Sequence, residues 1–296
     1  MNQKRIIRKL FITTLSMFLI LTINTLPQTS KEKVLRTNLE IEEITSLNTD
    51  TIYLLNKDSY LVQGEIFIDS NKIEEKVEKI IDYLTQENNK LQNGLVGYIP
   101  KDTKLLDYEL KDKEIILNFS KELLNASNIS QMITGIVYSL TEQKEIEEIS
   151  IKIDNNIQEE YEHLTRKIGI NKDYQIENRK DLERVVLYYL DSTKEHYVPV
   201  TRYLNSKKEK VEIIIEELKN TTKNLISLEN NHTKLLDYRE EDNILFLNFN
   251  NELLDENEES MEKVFKTIAY SVFDNYDVNM VVFEIEKEQK LQVSRR

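Results

Sequence analysis

The stretch of sequence that decides the fold occurs twice. Residues 103–125 read TKLLDYELKDKEIILNFSKELLN and residues 233–255 read TKLLDYREEDNILFLNFNNELLD; they align without a gap at 13 of 23 identical positions. Further matches lie on both sides of this stretch, 133–153 with 265–285 and 74–84 with 208–218. Self-similarity at a nearly constant offset indicates an internal repeat. The chain therefore contains two similar modules of about 100 residues in tandem.

Both modules show the same order of hydrophobic patterns. Two strand-like runs are followed by an amphipathic helix, two more strands, a second helix and a last strand, so the order is ββαββαβ. The apolar face of the first helix has helical spacing in Ile73, Val77, Ile80, Ile81 and Leu84. Because each element has one apolar face, the pattern predicts an α+β fold of two tandem two-layer modules, with helices packed on a mixed or antiparallel sheet.

The expected domain bounds follow from these patterns. They are 1–30 for an N-terminal membrane anchor or signal segment, 31–50 for a stalk, 51–154 for the first module, 155–182 for a linker, 183–287 for the second module and 288–296 for a polar tail. We expect the tail after Ile285 to be mobile, because it is polar and terminal.

The N-terminal segment predicts attachment to a membrane. Four basic residues come before residues 10–26, which carry no charge and would form about 26 Å of helix. Basic residues ahead of an apolar segment indicate a cytoplasmic N-terminus, which places both modules outside the cytoplasm. No small-residue cleavage motif follows, so we expect an uncleaved single-pass anchor. The alternative is a cleaved segment and a secreted protein.

Composition excludes several classes of function. The chain has 40 basic and 53 acidic residues and a net charge of −13. Because residues 1–30 hold four of the basic residues and no acid, residues 31–296 have a net charge of −17 and are expected to repel nucleic acid. The absence of Cys excludes disulfides, a thiol nucleophile and a lipid-modified cysteine. Because the chain has only five Gly, we do not expect a glycine-rich phosphate-binding loop.

Four runs of sequence carry a resemblance to a known family. They are GLVGYIPKDTKLLDYE at 94–109, IILNFSKELL at 115–124, IVYSLTEQKEIEEISIKID at 136–154 and YVPVTRYL at 197–204. These runs resemble the GerM domain, and the similarity extends over both modules. The resemblance implies a fold related to the ring-building-motif domains of the sporulation channel. It also implies a non-enzymatic assembly role in spore formation and germination, at the membrane between mother cell and forespore.

The candidate chemical groups do not form a recognisable site in the sequence. His163, His196 and His232 are scattered without metal-ligand spacing, and we interpret them as solvated surface residues. Asp107-Tyr108 recurs as Asp237-Tyr238, which fits strand packing better than an acid–base pair. The sequence therefore predicts no catalytic, cofactor-binding or metal-binding residues and no cofactor, and it does not locate the partner interface.

Two alternative functions stay open, together with an expectation about assembly. An envelope protein that binds cell-wall glycan or a small molecule would need aromatic residues matched in both modules, and Tyr108/Tyr238 and Tyr138/Tyr270 are the candidates. A cell-wall hydrolase is a weaker hypothesis. We expect protein partners in an envelope assembly. Because like charge opposes self-association, we expect residues 31–296 to be monomeric at micromolar concentration, and to assemble only when tethered or with a basic partner.

Overall fold

The computed structural model describes residues 49–86, 94–173, 182–220, 224–226, 232–254 and 258–295, all within one compact unit. The predicted membrane segment at 10–26 and all but the last two residues of the predicted stalk lie outside the described residues. Within the described ranges, no helix is long and apolar enough to cross a membrane.

The first module begins with a hairpin and contains two helices. Its elements are β1 (Thr49–Leu55), β2 (Leu61–Phe67), α1 (Ile73–Leu84), β3 (Leu105–Lys111), β4 (Glu114–Phe119), α2 (Ile129–Leu140), β5 (Glu148–Ile153) and β6 (Asn156–Ile157). The second module repeats this order, with one additional two-residue strand after its first helix. Its elements are β7 (Glu183–Asp191), β8 (Tyr197–Leu204), α3 (Lys210–Glu217), β9 (Leu225–Ile226), β10 (Leu235–Glu241), β11 (Ile244–Phe249), α4 (Glu258–Phe273), β12 (Met280–Ile285) and β13 (Glu288–Ser294). The predicted tandem α+β fold is confirmed.

The strands of each module divide between two sheets. The larger sheets have the orders β3-β4-β5-β6 and β10-β11-β12-β13, with a parallel central pair and antiparallel outer pairs. The helix α2 or α4 connects the parallel strands, as parallel pairing requires. The opening hairpins form separate sheets, β1-β2 and β8-β7-β9. Each module therefore contains a mixed sheet and a small antiparallel one.

The two helices of the first module are buried to different extents. Helix α1 buries one face, which consists of Val77, Ile80, Ile81 and Leu84. Helix α2 is enclosed, because every residue from Met132 to Leu140 is buried. Gly135 makes this possible: a Cβ at this position would stand 2.3 Å from the hydroxyl oxygen of Tyr98. The expectation of one apolar face per helix is therefore wrong for α2.

The C-terminal residues form a strand, which corrects the expectation of a mobile polar tail at 288–296. Strand β13 pairs antiparallel with β12 through a turn at Glu286 and Lys287, whose φ angles are 50° and 74°. Two consecutive residues with positive φ are the requirement of a tight hairpin turn. Glu-Lys is not a typical sequence for such a turn. The hairpin is held by strand pairing and by contacts of Leu291 and Val293 with the core.

The predicted linker contains the residues that join the modules. In its described part, Ile170 is fully buried and exchanges hydrogen bonds with Thr201 of β8, 2.9 Å each. The Asn171 side chain accepts a hydrogen bond from the Leu61 N–H and donates to the Leu61 carbonyl, at 2.9 and 2.7 Å. It also donates to the Pro199 carbonyl at 2.8 Å. Asn171 thus bridges β2 of one module and β8 of the other.

Candidate interaction site

Each module has a leucine that a β-bulge turns out of an edge strand. In β3, Leu105 pairs with Phe119 and Asp107 pairs with Asn118, so Leu106 is the extra residue. Leu236 of β10 occupies the same position in a matching bulge. Bulges re-aim side chains in this way. Leu106 is 46% exposed and Leu236 is 53% exposed, so both modules present a large apolar side chain to solvent.

A second pair of exposed leucines follows the inner strand of each module. Leu123 and Leu253 are buried, whereas the next residues, Leu124 and Leu254, are 50% and 40% exposed. Core packing therefore accounts for one leucine of each Leu-Leu pair and leaves the other unexplained. Singly exposed apolar side chains are common on protein surfaces, but these recur at the same positions in both modules, and we interpret them as an interaction surface. We call Leu106, Leu124, Leu236 and Leu254 the repeated leucines.

A helix serine binds the first strand of the opening hairpin in both modules. The Tyr53 backbone N–H of β1 donates to the Ser139 hydroxyl at 2.9 Å, and the Tyr188 N–H of β7 donates to the Ser271 hydroxyl at 2.8 Å. Each serine thus accepts from an N–H group that pairing within the hairpin leaves unused, and ties the helix to the hairpin.

The same tyrosines build a buried polar centre next to the helix ends. The Tyr53 hydroxyl donates to Glu142 at 3.3 Å, and the Tyr188 hydroxyl donates to Asp274 at 2.9 Å. Tyr53 meets the Tyr138 ring edge-on with centroids 5.3 Å apart. The equivalent rings of Tyr188 and Tyr270 are 5.7 Å apart in the same arrangement. The duplication therefore includes a buried tyrosine–carboxylate pair in each module.

Two arginines at the module boundary complete this centre. The Arg166 guanidinium lies over the Tyr138 ring at 5.0 Å and contacts the Glu142 carboxylate. Arg184, from β7 of the second module, donates to the Tyr138 hydroxyl at 3.2 Å and to the Arg166 carbonyl at 2.9 Å. A side chain of the second module is thus bonded to the first.

The electrostatics of the centre keep its two hydrogen-bonding tyrosines neutral. Burial raises the pKa of Tyr53, and the neighbouring Glu142 carboxylate raises it further. Burial and the Asp274 carboxylate likewise raise the pKa of Tyr188. Burial also raises the pKa of Asp274, although Arg166 and the Tyr188 hydroxyl oppose the rise. Both tyrosines remain protonated donors at neutral pH, which suits a structural role.

The three histidines have different surroundings. His163 is exposed, but the fold brings it to Glu114 and Glu148. His196 is only 13% exposed and contacts Asp191 at 2.9 Å, so the interpretation of this histidine as solvated is wrong. Asp191 lies five residues before His196, across a hairpin turn. The sequence spacing expected of metal ligands does not detect such a contact. His232 is exposed just before β10.

The aspartate and the tyrosine of the repeated Asp-Tyr pair contact different partners. The Asp107 carboxylate accepts a hydrogen bond from the buried Asn118 amide at 2.9 Å. The Tyr108 hydroxyl, on the other side of the strand, donates to the Glu74 carbonyl of α1 at 3.2 Å. In the second module, Asp237 accepts from the N–H of Tyr238. Alternate residues of a strand face opposite sides, so neither pair converges on a common point.

The matched tyrosines proposed for glycan binding lie mainly against protein. Tyr138 is 1% exposed, and Tyr270 packs edge-on against both Tyr188 and Tyr197. A cavity of about 300 Å³ lies elsewhere, between the first hairpin, the start of α2 and the segment around Asn171. Its lining is mostly polar and includes one aromatic residue, Tyr60.

Sequence reasoning missed the repeated leucines and both arginines. The leucines had a signal, because adjacent pairs of leucines recur at 105–106 and 123–124 and at the matching positions of the second copy. Which leucine of each pair is exposed follows only from the structure. Arg166 and Arg184 had none, because their partners are distant in sequence. Arg166 contacts the end of α2 in the first module, and Arg184 reaches Tyr138 only when the modules pack.

The similarity to known proteins extends over both modules. The Germane family, described as sporulation and spore germination, matches residues 51–159 and 186–290. The fold is similar to the tandem GerMN domains of the sporulation protein GerM from Bacillus subtilis, with a TM-score of 0.73 and 22% identity. That match covers 85% of this chain and 98% of the other. At this identity the likeness establishes the fold.

A curated relative matches a shorter region. Protein GrpE 2 of Buchnera aphidicola subsp. Acyrthosiphon pisum (strain APS) is 30% identical over 105 residues, 33% of this chain and 55% of that protein. The chain thus spans about half the length of this relative.

Proposed function

Because this chain belongs to the Germane family of sporulation and spore germination, we propose that it is a non-enzymatic assembly protein of that apparatus. It acts outside the cytoplasm, anchored through residues 10–26, and its two modules make the contacts with protein partners. The repeated leucines are the observation that carries this proposal. Buried apolar area is the main favourable term in protein association, and these side chains are exposed in both modules.

The cross-module contacts support a scaffold role. Asn171 and Arg184 bond residues of both modules, so the repeated leucines are held on one framework. Binding of one partner to both modules then costs the scaffold little conformational freedom. The packing of Tyr138 and Tyr270 against other rings favours this function over glycan binding.

The proposal is tested in the source organism with a double variant. Leu106→Gln with Leu236→Gln removes one exposed leucine from each module and leaves the buried leucines in place. Glu109→Gln with Glu240→Gln is the matched control, because both glutamates are exposed on the same edge strands. We expect the leucine variant to lose its location at the membrane between mother cell and forespore and to reduce spore formation or germination. A uniform distribution of the unaltered protein in vegetative cells, without a spore phenotype on deletion, would contradict the proposal.

Assembly has its own test. We expect residues 31–296 to sediment as a monomer at micromolar concentration, because the net charge opposes self-association. A stable oligomer at low salt would show that apolar contacts outweigh this repulsion, and a basic partner would not be needed. Lytic activity of the same fragment on cell wall would overturn the non-enzymatic assignment.

A further inference from the structure

Two glutamates stand side by side at the start of the parallel strands of the first module. Glu114 of β4 and Glu148 of β5 are register partners, so their side chains lie on one face of the sheet. Like charges in neighbouring strands destabilise a sheet. The second module has Ile244 and Met280 at the equivalent paired positions. The fold itself therefore does not require carboxylates here.

The chain returns after β6 to place a histidine over these carboxylates. Ile149 and Leu164 exchange backbone hydrogen bonds of 2.9 and 2.8 Å, which hold the segment on β5. The adjacent residue, His163, has a φ of 53°, a backbone conformation that non-glycine residues seldom adopt. Its Nδ1 contacts the Glu148 carboxylate and lies 3.3 Å from Oε1 of Glu114.

A buried serine orients two members of this group. The Ser150 hydroxyl, on a residue that is 1% exposed, donates to Oε1 of Glu114 at 2.6 Å. The Oγ atom of Ser150 in turn accepts a hydrogen bond from the His163 backbone N–H at 2.9 Å. Hydrogen bonds of this kind behind ligating side chains fix their orientation in metal sites.

We propose that Glu114, Glu148 and His163 form a Zn²⁺ site in the first module. Their candidate ligand atoms all lie within 4.8 Å of one another. Zn²⁺ binds imidazole nitrogen and carboxylate oxygen at about 2.0–2.2 Å, so small side-chain adjustments bring all three into its coordination shell. Zn²⁺ takes the place of the proton at Nδ1 of His163, the two carboxylates balance its charge, and a fourth position remains open to water. Mg²⁺ and Ca²⁺ fit less well, because they prefer oxygen ligands.

The experiment uses the full-length chain, purified in detergent and stripped of metal with a chelator. Calorimetric titration with ZnCl₂ is expected to give one equivalent bound, and Zn²⁺ is expected to raise the melting temperature because it binds the folded state. His163→Gln and Glu148→Gln should each weaken binding by more than about tenfold, and Ser150→Ala by about tenfold. His232→Gln is the matched control for non-specific binding to an exposed histidine.

The outcomes decide between a site and a surface ion pair. Binding that is lost in the two ligand variants and kept in His232→Gln supports the site. A stripped wild-type chain that binds no Zn²⁺ at 100-fold molar excess, or variants that bind as tightly as the wild type, would overturn it. Circular dichroism shows whether each variant folds. If His163→Gln does not fold, the Zn²⁺ affinity of Glu148→Gln serves as the test.

Discussion

Asn56 and Asp191 occupy the same position in the two modules, and their side chains meet across the module boundary. The Asn56 amide nitrogen donates to Oδ2 of Asp191 at 3.3 Å. Asn56 directly follows β1, and Asp191 is the last residue of β7. Each accepts hydrogen bonds from the backbone N–H groups two and four residues later. One side chain thus closes each turn, and the two turns bind each other, as in a contact with approximate two-fold symmetry.

Replacing Asp191 by Ala should lower the stability strongly. The variant leaves the N–H groups of Thr193 and Glu195 without their acceptor and removes the contacts to His196 and Asn56. We expect a loss of about 2–4 kcal/mol in the free energy of unfolding. Chemical denaturation followed by tyrosine fluorescence measures it, because the chain has 15 Tyr and no Trp. Asp191→Asn keeps an acceptor oxygen and should lose much less; an equal loss would contradict this account of the turn.

Asp191 should also make stability depend on pH in the acid range. Burial opposes its charge, but hydrogen bonds from the Thr193 hydroxyl, the His196 ring and two backbone N–H groups outweigh burial and lower the pKa from 3.8 to about 2. The folded state therefore holds this proton less tightly than the unfolded state. The resulting stabilisation, on the order of 2 kcal/mol, is complete above about pH 4 and is lost as the pH falls toward 2.

This pH effect is measured as a difference between proteins. The stability of the wild type relative to Asp191→Asn should fall between pH 4 and pH 2, because the variant cannot release a proton at this position. A difference that stays constant over this range would show that the carboxyl has an ordinary pKa in the folded protein.

Asp274→Asn should stabilise the protein at neutral pH. Burial raises the pKa of this carboxyl in the folded state, so the charge costs free energy at a pH above the folded value and costs nothing below the unfolded value. Asparagine retains an oxygen that can accept from the Tyr188 hydroxyl. The stabilisation should be present at pH 7 and shrink as the pH is lowered. Asp277→Asn is the control at an exposed position and should change stability little. A destabilised Asp274→Asn would mean that attraction to Arg166 outweighs burial.

Asn171→Gly should loosen the link between the modules. Its φ of 42° suits glycine, so the backbone is retained while three side-chain hydrogen bonds are lost. We expect a loss of about 2–3 kcal/mol and faster amide hydrogen exchange at Leu61. The matched control is Asn155→Gly, which changes another asparagine with positive φ, whose side chain accepts a hydrogen bond from the Asn118 amide within one module. Unchanged exchange at Leu61 would show that the modules are held together by other contacts.

Local patterns predicted much of the architecture. The predicted order ββαββαβ is present in both modules, with β6, β9 and β13 as additional strands, because runs of apolar residues bounded by polar turns specify strands. Helix α1 begins at Ile73 as its apolar spacing indicates. The repeat showed that the second module has the same order of elements. For the candidate site, the sequence located the matched tyrosines but not their contacts.

The sequence by itself determined that the protein is a tandem of two α+β modules. The spacing of apolar residues that specifies strands and helices is a local property, and it occurs in both copies. Only the tertiary structure decided which leucines face solvent, since a β-bulge shifts the alternation at Leu106 and Leu236. It alone brought His163 to Glu114 and Glu148, and Arg184 to Tyr138. The physical reason is that these contacts join residues far apart in the chain. Their distances depend on how whole elements pack, which no local pattern of side chains specifies.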